Sequence, residues 1–297
     1  MLNAGNTPAD AQAPPPAFKG RKKTHKHDSM SRRLFTPTFI ALLLVYAAVA
    51  ILALTSAEWY KSAMTPSGPV RVGVLDYYPP FSFRDGSARR GFDVDIAGAI
   101  CLRMNRPCEF VPLSFVDLIP ALQDGRIDAI VAGLNDTARR NRSAAFSTPY
   151  YRSRSFFISK HPWVTDLVPA KTAGLRIGVM KSSLQKTGLD AVYKPFGANI
   201  IEFGSYADMI LALDNDEIDV LYTDGLAGYQ LLRSDLGQAF YIADYAYEQQ
   251  EHVTEARIAV RRGETALLQQ INTALTHLQL TEEYHDIAMR YFPYFTF

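Results

Sequence analysis

ALQDGRIDAIVAG at residues 121–133 and ALDNDEIDVLYTD at residues 212–224 carry Ala, Leu, Ile and Asp in the same register: Ala121/Ala212, Leu122/Leu213, Ile127/Ile218 and Asp128/Asp219. A second echo precedes each stretch, VRVGVL at 70–75 and LRIGVM at 175–180. Two copies of one plan predict two α/β lobes. The copies end differently, the first in Gly133 and the second in Asp224. In an open α/β sheet, ligands bind beyond the carboxyl ends of strands. Two lobes whose strand ends face each other therefore predict a cleft that captures a small molecule.

The 297 residues suffice for about two domains. A hydrophobic fraction of 48% and a charged fraction of 21% fit a globular core. Charge is uneven: residues 1–33 carry seven Lys/Arg against Asp10 and Asp28, a net of +5, which leaves −4 for the rest of a +1 chain. A slightly acidic body argues against nucleic acid as the partner. The basic run reads as a disordered cytoplasmic tail that sets membrane topology. Residues 35–54, FTPTFIALLLVYAAVAILAL, are almost free of polar groups and match the roughly 20 residues that span a bilayer core. Residues 34–57 are thus expected to be a transmembrane anchor or a signal peptide with small residues at Thr55-Ser56-Ala57. Either way the body is exported, with residues 58–68 as a tether. The localisation expected is the periplasm, with the body released after cleavage or held at the membrane. Cys101 and Cys108 are the two cysteines. An oxidising compartment favours a disulfide between them; two half-buried thiols are the alternative.

VRVGVL reads as a strand, followed by a loop and a helix with Ile96, Ala97, Ile100, Cys101 and Met104 on one stripe. CEFVPL at 108–113 is a strand, Ser114–Asp117 resembles a capping box for a helix over 115–123, and Gly125 fits its C-terminal cap. IDAIVAGL is a buried strand. YYRSRSFFIS at 150–159 crosses between lobes and ARIAVRRG at 256–263 returns. Lobe 1 is expected over 69–155 and 256–297, and lobe 2 over 156–255. Asp128 and Asp219 read as structural turn residues.

DYYPPFSF, GFDVDIAGAI, FVDLIPALQDGRIDAIVAG, FSTPYY, IDVLYTD and the terminal EEYHDIAMRYF together resemble the family 3 periplasmic solute-binding proteins, the amino-acid receptors of ABC importers. The resemblance covers roughly residues 69–297. It implies the two-lobed type II periplasmic binding fold, each lobe a mixed sheet flanked by helices. It also implies a monomer that captures a zwitterion, an amino acid, and presents it to an ABC permease. ICLRMNRPCEF is similar to the helix-to-strand disulfide of basic-amino-acid and histidine receptors, which implies a Cys101–Cys108 bond.

A zwitterion leaving water needs donors for its carboxylate, acceptors for its ammonium and a wall for its side chain. The resemblance places Arg140 at the carboxylate, where a planar guanidinium grips through two parallel hydrogen bonds. Backbone N–H groups at Ser183 and Leu184 add to it at a helix N-terminus. Asp224 is the candidate for the ammonium, or else the N-cap of the GLAGYQLL helix. The Gly133 carbonyl and the Asn135 side chain supply further acceptors, although Asn135 departs from the Ser or Thr common there. Tyr78 and Phe115 match the aromatic positions that sandwich ligands. Basic-amino-acid receptors carry an acid at the first strand end; here Leu75 falls there, with Asp76 one step on. A slip of one residue reverses side-chain direction. The cysteine pair inclines the reading to a polar or cationic amino acid. No catalytic residue, metal site or cofactor is expected. An enzyme on the same fold, a cyclohexadienyl or arogenate dehydratase, would need a general acid at a leaving hydroxyl. A membrane-tethered amino-acid sensor is the other alternative.

Overall fold

The computed structural model describes residues 37–64, 68–245 and 254–293. The basic tail over residues 1–33 lies outside the described residues. The chain divides into residues 1–66 and residues 67–297. In the first unit, helix α1 (Pro37–Met64) covers the apolar run and continues through residues 58–64, read above as tether. Leu, Val, Ala and Ile with no internal Gly or Pro favour that helix. Among the described residues, however, no helix is long and apolar enough to cross a membrane. The transmembrane reading of residues 35–54 therefore gains no support.

The second unit runs β1 (Val70–Leu75), β2 (Phe83–Asp85), β3 (Ala88–Arg90), α2 (Phe92–Arg103), β4 (Cys108–Leu113), α3 (Leu118–Gln123), β5 (Ala129–Ile130), β6 (Ala144–Ser153) and β7 (Ser155–Ser159). It continues with β8 (Arg176–Met180), α4 (Leu184–Val192), β9 (Asn199–Phe203), α5 (Tyr206–Asp214), β10 (Val220–Asp224), α6 (Gly225–Leu232) and β11 (Tyr241–Tyr245). It ends with β12 (Thr254–Arg261), α7 (Thr265–Gln279) and α8 (Glu282–Tyr291). Two five-stranded sheets result, ordered β4-β1-β5-β12-β6 and β11-β7-β10-β8-β9. Each is mixed: β1 is parallel to β4 and β5 while β12 is antiparallel, and β8 is parallel to β9 and β10 while β7 is antiparallel. The chain passes from the first sheet to the second at Arg154, between β6 and β7. It re-enters the first sheet with Thr254 opposite Ser153.

The sequence repeat has a physical cause. Arg71 on β1 bonds Asp128 through Nη2 at 2.7 Å and through its backbone N–H at 3.0 Å. Arg176 on β8 repeats this with Asp219, at 2.6 and 2.8 Å. Asp128 and Asp219, expected as turn residues, thus tie the entry of one parallel strand to its neighbour. Burial raises both carboxyls, but the arginine hydrogen bonds outweigh it and hold them below the usual range. Two residues along, a Cβ at Gly73 would lie 2.5 Å from Ile127 Cδ1, and one at Gly178 would lie 2.4 Å from Ile218 Cδ1. The same isoleucine fills the same space in both lobes.

Three local expectations change. The strand expected over IDAIVAGL shortens to Ala129–Ile130, because the chain leaves the ladder before Gly133 turns at φ 58°. The helix expected over 115–123 opens as a 3₁₀ turn at Phe115–Asp117. Ser114 Oγ donates to the Asp117 carboxylate at 2.5 Å instead of capping a backbone N–H. Cys101 and Cys108 are bonded, with Cα atoms 5.8 Å apart, which joins the end of α2 to the start of β4.

Candidate functional site

The carboxyl ends of β1 and β10, the turn after β5 and the loop entering α4 converge on a cleft between the lobes. Leu75, Tyr78, Phe115, Ala132, Gly133, Asn135, Tyr151 and Thr254 line it from the first sheet's side. Met180, Ser183, Gln185, Tyr222, Thr223 and Asp224 line it from the second. Space open to the centre of a water molecule is about 40 Å³, room for roughly three waters.

Six of the eight expected residues face this gap: Tyr78, Phe115, Gly133, Asn135, Ser183 and Asp224. Tyr78 stacks on Phe81 with centroids 5.4 Å apart and meets Tyr206 of the second lobe edge-on at 4.8 Å. Gly133 needs its positive φ, and a Cβ there would come within 2.8 Å of the Tyr151 hydroxyl. The Gly133 N–H donates to Tyr150 Oη at 3.0 Å, and that hydroxyl donates to Asp93 Oδ1 at 2.6 Å. Asn135 donates from Nδ2 to the Glu255 carbonyl at 3.0 Å. Ser183 caps α4, accepting from Lys186 N–H at 3.0 Å. Its own N–H donates to the Met180 carbonyl at 3.3 Å.

Arg140 and Leu184 are not among the lining side chains. Leu184 opens α4 directly beside Ser183. Arg140 sits immediately behind the wall, 6% exposed. Its Nη1 donates to the Asn135 carbonyl at 2.8 Å and its Nη2 to the Ser182 carbonyl of the second lobe at 3.0 Å. Its Cζ lies 5.4 Å from the Phe115 centroid, in cation–π range. Burial and the neighbouring Arg139 lower the guanidinium to about 10. No described carboxylate forms an ion pair with it.

Asp224 is 5% exposed. Its Oδ1 accepts from the Leu226 N–H at 2.9 Å and from Ser153 Oγ at 3.1 Å. The N-cap role is therefore real, and it coexists with a place on the cleft wall. Burial pushes the carboxyl up to about 6, and those hydrogen bonds only partly offset it. No described cation is paired with it. The open point at the first strand end is settled: Leu75 faces the cleft, whereas Asp76 is exposed and pairs with Arg89 at 3.0 Å. Tyr151, Tyr222, Gln185 and Thr254 were not anticipated.

The chain is similar to the L-arginine-binding protein of Pseudomonas aeruginosa, 31% identical over 232 residues that cover 76% of this chain and 88% of that one. Among solved structures, an ancestral arginine-binding protein bound to arginine matches with a TM-score of 0.70 at 28% identity, covering 76% of this chain and 98% of that one. The ancestral arginine-binding protein bound to glutamine matches with the same TM-score and identity, covering 99% of that chain. The family model of bacterial extracellular solute-binding proteins, family 3, spans residues 70–294, and the chain belongs to that family.

Proposed function

We propose that the protein captures a zwitterionic amino acid between its lobes and presents it to an ABC importer from the periplasmic side of the membrane. One observation carries this reading. A buried guanidinium from one lobe lies immediately behind the cleft wall, a buried carboxylate from the other lines the cleft, and neither has an ion-pair partner among the described residues. Leaving either charge uncompensated costs several kcal/mol, and a guest with a carboxylate and an ammonium compensates both. The similar arginine-binding proteins agree with such a guest. The protein acts as a monomer. It also acts without catalysis: among the described residues the cleft offers one carboxylate, Asp224, already bonded through Oδ1 to the α6 cap and Ser153.

A thermal-shift screen of the full chain against the twenty amino acids and common polyamines tests the reading. A true ligand at 100 times its Kd adds about 2.7 kcal/mol. Arg140→Ala should abolish the shift. Retained stabilisation removes Arg140 from the site, and turnover of prephenate or arogenate would move the protein to the dehydratases. Mass and fractionation of the mature chain decide between a released body and one held by α1.

A further inference from the structure

Among the described residues, the cleft has one charged lining side chain, Asp224. The other carboxylates near it are turned away or tied. Asp76 is held outward by Arg89, whose Nη2 meets Oδ1 at 3.0 Å while Nη1 takes the Asp76 and Leu75 carbonyls at 2.8 and 3.2 Å. That clamp fixes the strand end so that Leu75, 6% exposed, faces the gap. Asp93 lies behind Gly133 with Oδ1 on Tyr150. Across the gap from Leu75 stand Met180 and Tyr222. With Asp224 occupied by the ligand's ammonium, a cationic side chain would enter the cleft without a counter-ion among the described residues.

We propose that the solute is an amino acid with an uncharged side chain, unlike the arginine of the similar proteins, which keeps the polar and drops the cationic half of the reading from the cysteine pair. This inference rests on the zwitterion reading above. The ancestral arginine-binding protein bound to glutamine holds an uncharged side chain in the same fold.

The test compares near-isosteric pairs, citrulline against arginine and norleucine against lysine, by calorimetry on the full chain dialysed free of solute. The neutral member of each pair should bind at least about 10-fold tighter, a difference of about 1.4 kcal/mol. Leu75→Asp should reverse the preference toward arginine. Met180→Glu, on the opposite wall, provides the same reversal if Leu75→Asp does not fold. Arginine or lysine binding the unmodified chain as tightly as its neutral partner overturns this inference and leaves the zwitterion reading standing. If none of the four binds and no standard amino acid stabilises the chain, the zwitterion reading fails and takes this inference with it.

Discussion

Asp93 is fully buried, and its Oδ2 has no hydrogen-bond partner among the described residues. Burial pushes the carboxyl from an ordinary 3.8 up to about 8; the Tyr150 hydrogen bond only partly opposes this, and Asp224 adds to it. The folded state therefore holds a proton that the unfolded chain releases above about pH 4. This contribution to stability is fully present below pH 4 and is lost progressively as pH rises to about 8. Asp93→Asn, a neutral isostere, should flatten that decline. Urea midpoints across pH 4–8 check it: a wild-type curve that rises over that range, or a variant with an unchanged slope, contradicts a protonated Asp93. Gly133→Ala should cost at least about 1–2 kcal/mol, the penalty of a left-handed non-glycine residue, since its Cβ also meets the Tyr151 hydroxyl at 2.8 Å. Differential scanning calorimetry reads that loss. Asp224→Asn should weaken ligand binding by a few kcal/mol, measured by titration. Asp93 was illegible in GFDVDIAGAI, because nothing in a one-dimensional pattern says that its partner is Tyr150, fifty-seven positions on.

At the scale of elements, the repeat was legible because both lobes solve one packing problem with the same residues. Arg71–Asp128 and Arg176–Asp219 pin parallel strands in register, and Ile127 and Ile218 fill the space left by Gly73 and Gly178. Alternation also placed β1 in VRVGVL, and its echo LRIGVM placed β8. The shortening of β5 was not legible, since the apolar run IDAIVAGL looks the same whether or not its second half stays in the ladder. The Cys101–Cys108 bond closes a loop with a sequence separation of 7. A loop that short contributes about 2–3 kcal/mol in the chain-entropy description. Cys101→Ser with Cys108→Ser should lower stability by that amount and leave ligand affinity within about twofold, because the bond joins α2 to β4 and neither cysteine lines the cleft. A large drop in affinity would mean that this corner of the first lobe shapes the site.

Across the whole molecule, several contacts join the lobes beside the gap. Arg140 Nη2 reaches the Ser182 carbonyl at 3.0 Å, Tyr78 meets Tyr206 at 4.8 Å, and Ser153 Oγ reaches Asp224 at 3.1 Å. Residues of both lobes wall the gap, so separation of the lobes is the route by which a solute would enter. The strand-to-strand passage at Arg154 is where the backbone can absorb such a motion, and the Gly225 N–H bonds the Arg154 carbonyl at 2.7 Å beside it. The position of Arg140 was readable only through the family resemblance; its bond across the lobes was not, because Ser182 lies forty-two residues away with its own φ at 63°. Under the function proposed above, that bond would give Arg140 two duties, closing the lobes and meeting the guest's carboxylate. A hydrogen bond from a charged donor contributes about 1.5–3 kcal/mol, enough to move an open–closed equilibrium roughly 10- to 100-fold. Arg140→Met keeps much of the apolar stem and removes the donors. Small-angle scattering of the solute-free variant should then give a larger radius of gyration than the wild type, and saturating ligand should not restore it. An unchanged radius would mean that Arg140 serves the ligand alone and that the aromatic contact of Tyr78 with Tyr206 holds the lobes together.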